Sequence, residues 1–171
     1  HRPHDQIIPK LISITDKVAL NNLFKTFKVD TIYHAAAYKH VPLIETNASA
    51  GFMNNSFGTL TLLQTALKNN VKQLTLVSTD KAVNPSNVMG ASKRIAEIYA
   101  SILSDKSQTK IITTRFGNVL GSSGSVVPIF KKQISNGGPV TITDPDITRY
   151  FMTITEACQL VLEAGAIGKG G

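Results

Sequence analysis

Residues 76–94 read LVSTDKAVNPSNVMGASKR. An apolar run ends there in Ser78, Thr79, Asp80 and Lys81, and a helix-like segment follows that sets Lys93 four residues after Met89. Extended back to Val71, the run VKQLTLVS reads as a buried strand. Met89 and Lys93 lie one turn apart and share a helix face that can look back at Thr79. Two hydroxyls, a carboxylate and two amines are thus expected to gather where a strand gives way to a helix.

The flanking sequence repeats this alternation. TDKVALNNLFKTF (15–27) carries Leu20, Leu23, Phe24 and Phe27 at helical spacing, with Thr15 or Asp16 as cap. DTIYHAAA (30–37) reads as a buried strand, ASAGFMNNSFGTLTLLQTALKN (48–69) as one long helix, and NVMGASKRIAEIYASIL (87–103) as a helix with Met89, Lys93, Ala96 and Ala100 along one side. KIITTRF (110–116) is a third strand, GSVVPIFKKQISNG (124–137) a helix broken near its start by Pro128, and GGPVTIT (137–143) a short strand. TITEACQLVLEAG (153–165) opens the last helix, with Thr153 and Glu156 at the spacing of a capping box. Helix and strand in strict alternation predict an α/β fold, a doubly wound parallel sheet with helices on both faces. Ligands of such sheets bind at the carboxyl ends of the strands.

The bulk properties fit one globular unit. The chain has 171 residues, 42% of them hydrophobic and 17% charged, enough for a sizeable core. The net charge of +7 suits an anionic partner, but the bases are scattered and aromatics make up only 6%, which disfavours nucleic-acid binding. Cys158 is the only cysteine, so no internal disulfide can form; its apolar helical context predicts a small core residue. A reducing, cytoplasmic setting is expected. No run approaches the roughly 18 apolar residues of a membrane span. The opening HRPHDQ lacks a start methionine, and an internal piece of a longer protein is expected.

Each strand is followed by residues that suit a ligand. After the first come Ala35, Ala36 and Ala37, small enough for a flat ligand to approach the backbone or for tight helix packing, and then Tyr38, Lys39 and His40. After the second come Asp80 and Lys81, an acid and a base, or a solvated ion pair. After the third comes GNVLGSSGSV (117–126), whose small residues run into a helix; exposed backbone N–H groups and the helix dipole there favour a phosphate, and a plain flexible loop is the alternative. Arg149, in DITRYFM, offers a bidentate phosphate contact or a surface ion pair. The histidines His1, His4, His34 and His40 form no ligand set with carboxylates or the cysteine, so no metal is expected. Neither a nucleophile elbow nor the Gly-x-Gly-x-x-Gly dinucleotide fingerprint is present.

Six segments carry a family resemblance: HAAAYKHVPLIE, NNSFGT, STDKAVNPSNVMGASKR, RFGNVLGSSGSVVPIFKKQI, GGPVTIT and TRYFMTITEA. In this order they resemble the core of nucleotide-sugar 4,6-dehydratases, and more narrowly the membrane-type (CapD-like) UDP-N-acetylglucosamine 4,6-dehydratases of polysaccharide biosynthesis, within the extended short-chain dehydrogenase/reductase superfamily. The similarity runs from about residue 11 to the end of the chain. It implies a Rossmann-like catalytic core over residues 1–171, without its first βαβ unit, in which 118–150 contributes to the nucleotide-sugar side.

The resemblance also implies a chemistry. Most of the superfamily places Tyr-x-x-x-Lys on this helix; here the tyrosine position is Met89, a substitution characteristic of this subfamily, while Lys93 and Thr79 remain. The sugar's C4 hydride passes to tightly bound NAD+, a base takes the C5 proton as water leaves from C6, and the hydride returns to C6. By position, Thr79 would bond the C4 oxygen, Asp80 would protonate the leaving hydroxyl, Lys81 would take the C5 proton, and Lys93 would hold the nicotinamide ribose. Ala35, Ala36 and Asn55 are expected near the cofactor, and Lys39, His40, Asn118, Ser123 and Arg149 on the UDP-sugar side. The full-length relatives are expected to be homo-oligomers anchored in a membrane and active on its cytoplasmic side. The alternatives are a nucleotide-sugar 4-epimerase of the same superfamily, a non-catalytic nucleotide-sugar binding module and, last, a basic nucleic-acid binder.

Overall fold

A computed structural model of the protein describes residues 7–122, 125–142 and 144–170. Three parallel strands, β1 (Thr31–His34), β2 (Gln73–Thr79) and β3 (Lys110–Phe116), lie side by side in chain order. Leu74 stands beside Ile32 on one side and Ile111 on the other, and Ser78 stands beside Arg115. Helices cover both faces, as the alternation predicts. Leu74, Leu76 and Ile111 point to the face covered by α1 (Lys17–Thr26), α4 (Thr59–Lys68) and α5 (Val88–Ser104); Leu20, Phe24, Leu62, Leu63, Ala66, Ala96 and Ala100 complete that core. On the other face runs α7 (Ile154–Ile167), where Gly165 brings the helix so close that a Cβ would stand 3.0 Å from the Tyr33 hydroxyl.

Side chains and backbone agree at the helix starts. Asp16 accepts from the Ala19 amide at 2.9 Å, and Asn87 accepts from the Gly90 amide at 2.8 Å. Thr153 and Glu156 form the reciprocal capping box expected for α7. Between β1 and β2, α2 (Val41–Glu45) and α3 (Ala48–Phe52) lead into α4 through a π-helical turn over Met53–Gly58. The single long helix expected over 48–69 therefore contains one wider turn, which carries Asn55 and Ser56 into the interior.

Three other expectations are corrected. The first strand covers Thr31–His34 rather than 30–37, since Ala35 and Ala36 are exposed and leave the sheet. The described residues of 137–143 form no strand: Gly137 and Gly138 adopt positive φ of 88° and 77°, and Pro139 has no N–H to donate. The Gln133 side chain of α6 (Val126–Ser135) takes the Thr141 amide at 3.1 Å instead. Cys158 is exposed rather than in the core; α7 buries Ala157 and Gly165, and Cys158 lies about 100° around the helix from its neighbour. A two-residue parallel pair, β4 (Asn118–Val119) with β5 (Phe151–Met152), ties the segment after β3 to the start of α7.

Candidate functional site

A cavity of about 460 Å³ opens at the carboxyl ends of all three strands. Ala35, Ala37, Tyr38, Lys39 and His40 follow β1 along one wall. Ser78, Thr79 and Lys81 come from the end of β2, and Met89 and Lys93 from α5. Phe116, Gly117, Asn118, Ser122 and Ser125 close the far side. Of the residues expected from sequence, the cavity thus gathers Ala35, Lys39, His40, Thr79, Lys81, Met89, Lys93 and Asn118.

Thr79 ends β2 and caps a 3-10 turn over Asp80–Ala82. Its hydroxyl donates to Asp80 Oδ1 at 2.9 Å, and Lys81 Nζ donates to the same oxygen at 3.1 Å and to Asn118 Oδ1 at 3.3 Å. Burial pushes the Asp80 carboxyl up, but the hydrogen bonds from Thr79 and Lys81 and the Lys81 charge outweigh it and hold it below the usual carboxylate range. The two therefore rest as an ion pair; Thr79 and Lys81 line the cavity, whereas Asp80 is off the lining and reaches it through Lys81. Gly90 sets its position: a Cβ there would overlap the Lys81 carbonyl oxygen, so α5 reaches the turn only because residue 90 has no side chain. Glu45 of α2 accepts from the Val88 amide at 2.6 Å and fastens the β1 side of the cavity to the start of α5.

Lys93 is buried, and its Nζ donates to the Val77 carbonyl at 2.6 Å. Desolvation lowers its pKa from 10.5 to about 8, against an opposing pull from Glu97. Met89, one turn earlier, is also buried and offers only a thioether to the cavity. Below the cavity lies His34 at the end of β1, 3% exposed. Burial, then the Lys93 charge, pushes it down to about 4, so it is neutral. The Thr59 hydroxyl donates to the Asn55 carbonyl at 2.7 Å, so His34 Nε2 donates to Thr59 at 2.9 Å.

Several expected residues stand outside the lining. Asn55 is fully buried behind the wall; its side chain takes the Tyr38 amide at 2.7 Å, donates to the Tyr38 carbonyl at 2.9 Å, and donates to Ser92 Oγ at 3.0 Å. It shapes the loop after β1 rather than facing the cavity. Ala36 is exposed and off the lining. Arg149 is exposed and off the lining, its guanidinium donating to the Thr148 carbonyl at 2.8 Å. Ser123 lies outside the described residues. Sequence reasoning missed His34, Glu97 and Arg115. A glutamate one turn beyond Lys93 and an arginine inside a buried strand were the available signals. Among the described residues, no three His, Cys, Asp or Glu side chains come together to hold a metal, and no helix is long and apolar enough to cross a membrane.

A parallel sheet covered on both faces, with a cleft at its strand ends bordered by a buried lysine and a threonine, defines a Rossmann-like core of the extended short-chain dehydrogenase/reductase type. The chain belongs to the polysaccharide biosynthesis protein family, whose profile matches residues 1–171. It is 51% identical over 167 residues to the capsular polysaccharide biosynthesis protein CapD of Staphylococcus aureus, covering 97% of this chain and 28% of that protein. It is 41% identical over 146 residues to a UDP-glucose 4-epimerase of Rickettsia canadensis, covering 84% of this chain and 43% of that one. The solved structure of DesIV, a dTDP-glucose 4,6-dehydratase from Streptomyces venezuelae with NAD bound, superposes with a TM-score of 0.86 at 25% identity, covering 94% of this chain and 55% of that one. The chain therefore spans well under two thirds of each of these relatives.

Proposed function

We propose that this chain forms the catalytic core of a NAD-dependent 4,6-dehydratase acting on UDP-N-acetylglucosamine for polysaccharide biosynthesis. The observation that carries the reading is the Asp80–Lys81 pair beside Thr79, at the rim of a cavity floored by Met89 and Lys93. Removal of water from a sugar needs one proton taken and one given, and a hydrogen-bonded carboxylate and amine 3.1 Å apart can do both. The resting ion pair carries the proton on Lys81. Moving it to Asp80 leaves a neutral acid and a neutral base in the roles assigned above, a change that exclusion of water by a bound sugar favours. Thr79 then has its hydroxyl free to bond the C4 oxygen.

The small residues after β1 and the buried cation suit a nicotinamide cofactor. Ala35, Ala36 and Lys93 would hold it, with Asn55 acting through the Tyr38 backbone. NAD, when bound, supplies the acceptor that takes and returns the hydride. Lys39, His40, Asn118 and the 118–150 segment form the proposed UDP-sugar side, which the basic charge of the chain complements. Arg149 joins that side only if the sugar draws it in, and Ser123 is assigned there by the resemblance. For the whole protein the reading extends to a membrane-anchored homo-oligomer working on the cytoplasmic side.

The second reading is a 4-epimerase, favoured by the 41% identity to the Rickettsia canadensis protein. The intact protein, incubated with UDP-N-acetylglucosamine and catalytic NAD+, distinguishes the two. A product lighter by one water, seen by mass spectrometry, supports the dehydratase; an isomer of unchanged mass supports the epimerase. Asp80→Asn is expected to abolish water loss while sparing C4 oxidation, and unchanged turnover refutes the assigned roles.

A further inference from the structure

Beneath the cavity the buried face of α5 carries a second charged group. Glu97 lies one turn beyond Lys93 and is 5% exposed. A buried carboxylate persists only when paired and hydrogen-bonded. Arg115 of β3 supplies a two-pronged fork, Nε to Oε1 at 2.8 Å and Nη2 to Oε2 at 2.7 Å, and Arg94 adds a contact to Oε2 at 3.1 Å. Burial pushes the Glu97 carboxyl up, and hydrogen bonding, from Arg115 foremost, brings it below the usual range. Arg115 stands beside Ser78 in the sheet, the residue before Thr79. The fork therefore joins α5 to the strands at the level where the cavity begins.

We propose that Glu97 is a positioning residue of this site: forked to Arg115, it fixes the height of α5 against the end of β2 and keeps the buried Lys93 amine protonated, so that the cavity stays cationic while an anionic nucleotide sugar is bound and an alkoxide forms. The inference rests on the proposed role of Lys93 in the cavity. The other charged or titratable groups around Lys93 do not supply that negative charge. His34 on β1 is neutral, and Asp80 and Lys81 in the turn after β2 are paired with each other. Lys39 and His40 after β1 bring no negative charge, and Arg94 and Arg115 are engaged with Glu97. Burial lowers the Lys93 pKa to about 8, and Glu97 is the group that resists this.

The test is the titration of Lys93 in the intact protein, by competitive amine labelling from about pH 6 to about pH 10 with the Lys93 peptide read by mass spectrometry. The wild-type midpoint is expected near 8. Glu97→Gln should lower it by about one pH unit. Arg115→Gln, which removes one cation and leaves the carboxylate paired with Arg94 alone, should raise it. Opposite shifts from the two halves of one fork are not expected of a merely structural contact, and the alkaline limb of the kcat profile should follow each. Should Glu97→Gln fail to fold, Arg115→Gln alone decides: a rise supports the proposal, and no change or a fall overturns it. With both folded, midpoints that stay put or move together overturn it. The labelling does not depend on which reaction is catalysed, so a missing dehydrated product would refute the dehydratase reading and leave this result standing.

Discussion

Lys93→Met should make the protein more stable while abolishing turnover. Lys93 is 6% exposed, and burial brings its pKa from 10.5 to about 8. At about 1.4 kcal/mol per pH unit, its charged form is about 3 kcal/mol less favourable in the fold than in the unfolded chain at neutral pH. Methionine removes that cost and keeps the apolar stem. It also removes the hydrogen bond to the Val77 carbonyl, worth roughly 1–3 kcal/mol. The net expectation is a gain of about 1 kcal/mol at pH 7, taking the middle of that range. The pH dependence is the sharper signature. Between about 8 and 10.5 the unfolded chain binds the proton that folded Lys93 has lost, so wild-type stability rises with pH through that window. The variant lacks this term. Its advantage should therefore be full below about pH 8 and disappear or reverse towards pH 10.5. Urea unfolding of both proteins across that range measures the gap. A gap that does not change with pH would refute the claim that the fold holds this lysine at a cost for its chemistry.

Gly90→Ala sets a helix preference against a collision. The added methyl gains less than about 1 kcal/mol of helix propensity, because residue 90 lies in the first turn. It would overlap the Lys81 carbonyl oxygen and lie 3.2 Å from its carbon, which calls for an overpacking cost of about 1–3 kcal/mol. A shift of the Asp80–Lys81 turn by a fraction of an ångström should lower kcat by about 100-fold with a modest fall in melting temperature. Unchanged kinetics would mean that the turn's height is not critical. His34 should make the fold acid-sensitive. Its pKa near 4 lies below the usual 6.5, so the unfolded chain takes up the proton first and stability is lost as pH falls through that window, by about 3 kcal/mol in all. His34→Gln should flatten this slope in denaturant titrations at pH 7 and about pH 5, and an unchanged slope would count against a buried neutral imidazole.

The sequence made the framework readable wherever local pattern and burial agree. KIITTRF is β3 to the residue, and the apolar run before Thr79 is β2 to within two residues at its start. The alternation of helices and strands led directly to a parallel sheet, and the residues following each strand line one cavity. What stayed hidden depends on contacts across the chain. GGPVTIT has strand-like residues, but positive φ at Gly137 and Gly138 and the Gln133 side chain decide its path. Cys158 sits in an apolar segment, yet only contact with the sheet selects which side of α7 is buried. Asn55 resembles a ligand residue in a motif, and its three hydrogen bonds to Tyr38 and Ser92 appear only when α5 and the loop after β1 are brought together. The Glu97–Arg115 fork joins residues 18 positions apart, a pairing fixed by the register of α5 against β3.

The π-helical turn at Met53–Gly58 lets one helical rod serve two masters. A regular helix rotates each residue by a fixed angle, so the phase that aims Asn55 and Ser56 at Ser92 would also dictate which side chains of α4 meet the core. The wider turn decouples the two. Within the turn, Asn55 and Ser56 are phased to hold Tyr38 and Ser92; downstream, the rod is phased to bury Leu62, Leu63 and Ala66. Substitutions that repack the downstream half can therefore accumulate without rotating Asn55 away from the cavity wall. The wall loop can likewise change without turning the core face of α4. The turn acts as a clutch between the contacts that hold the cavity wall and the face that packs the core.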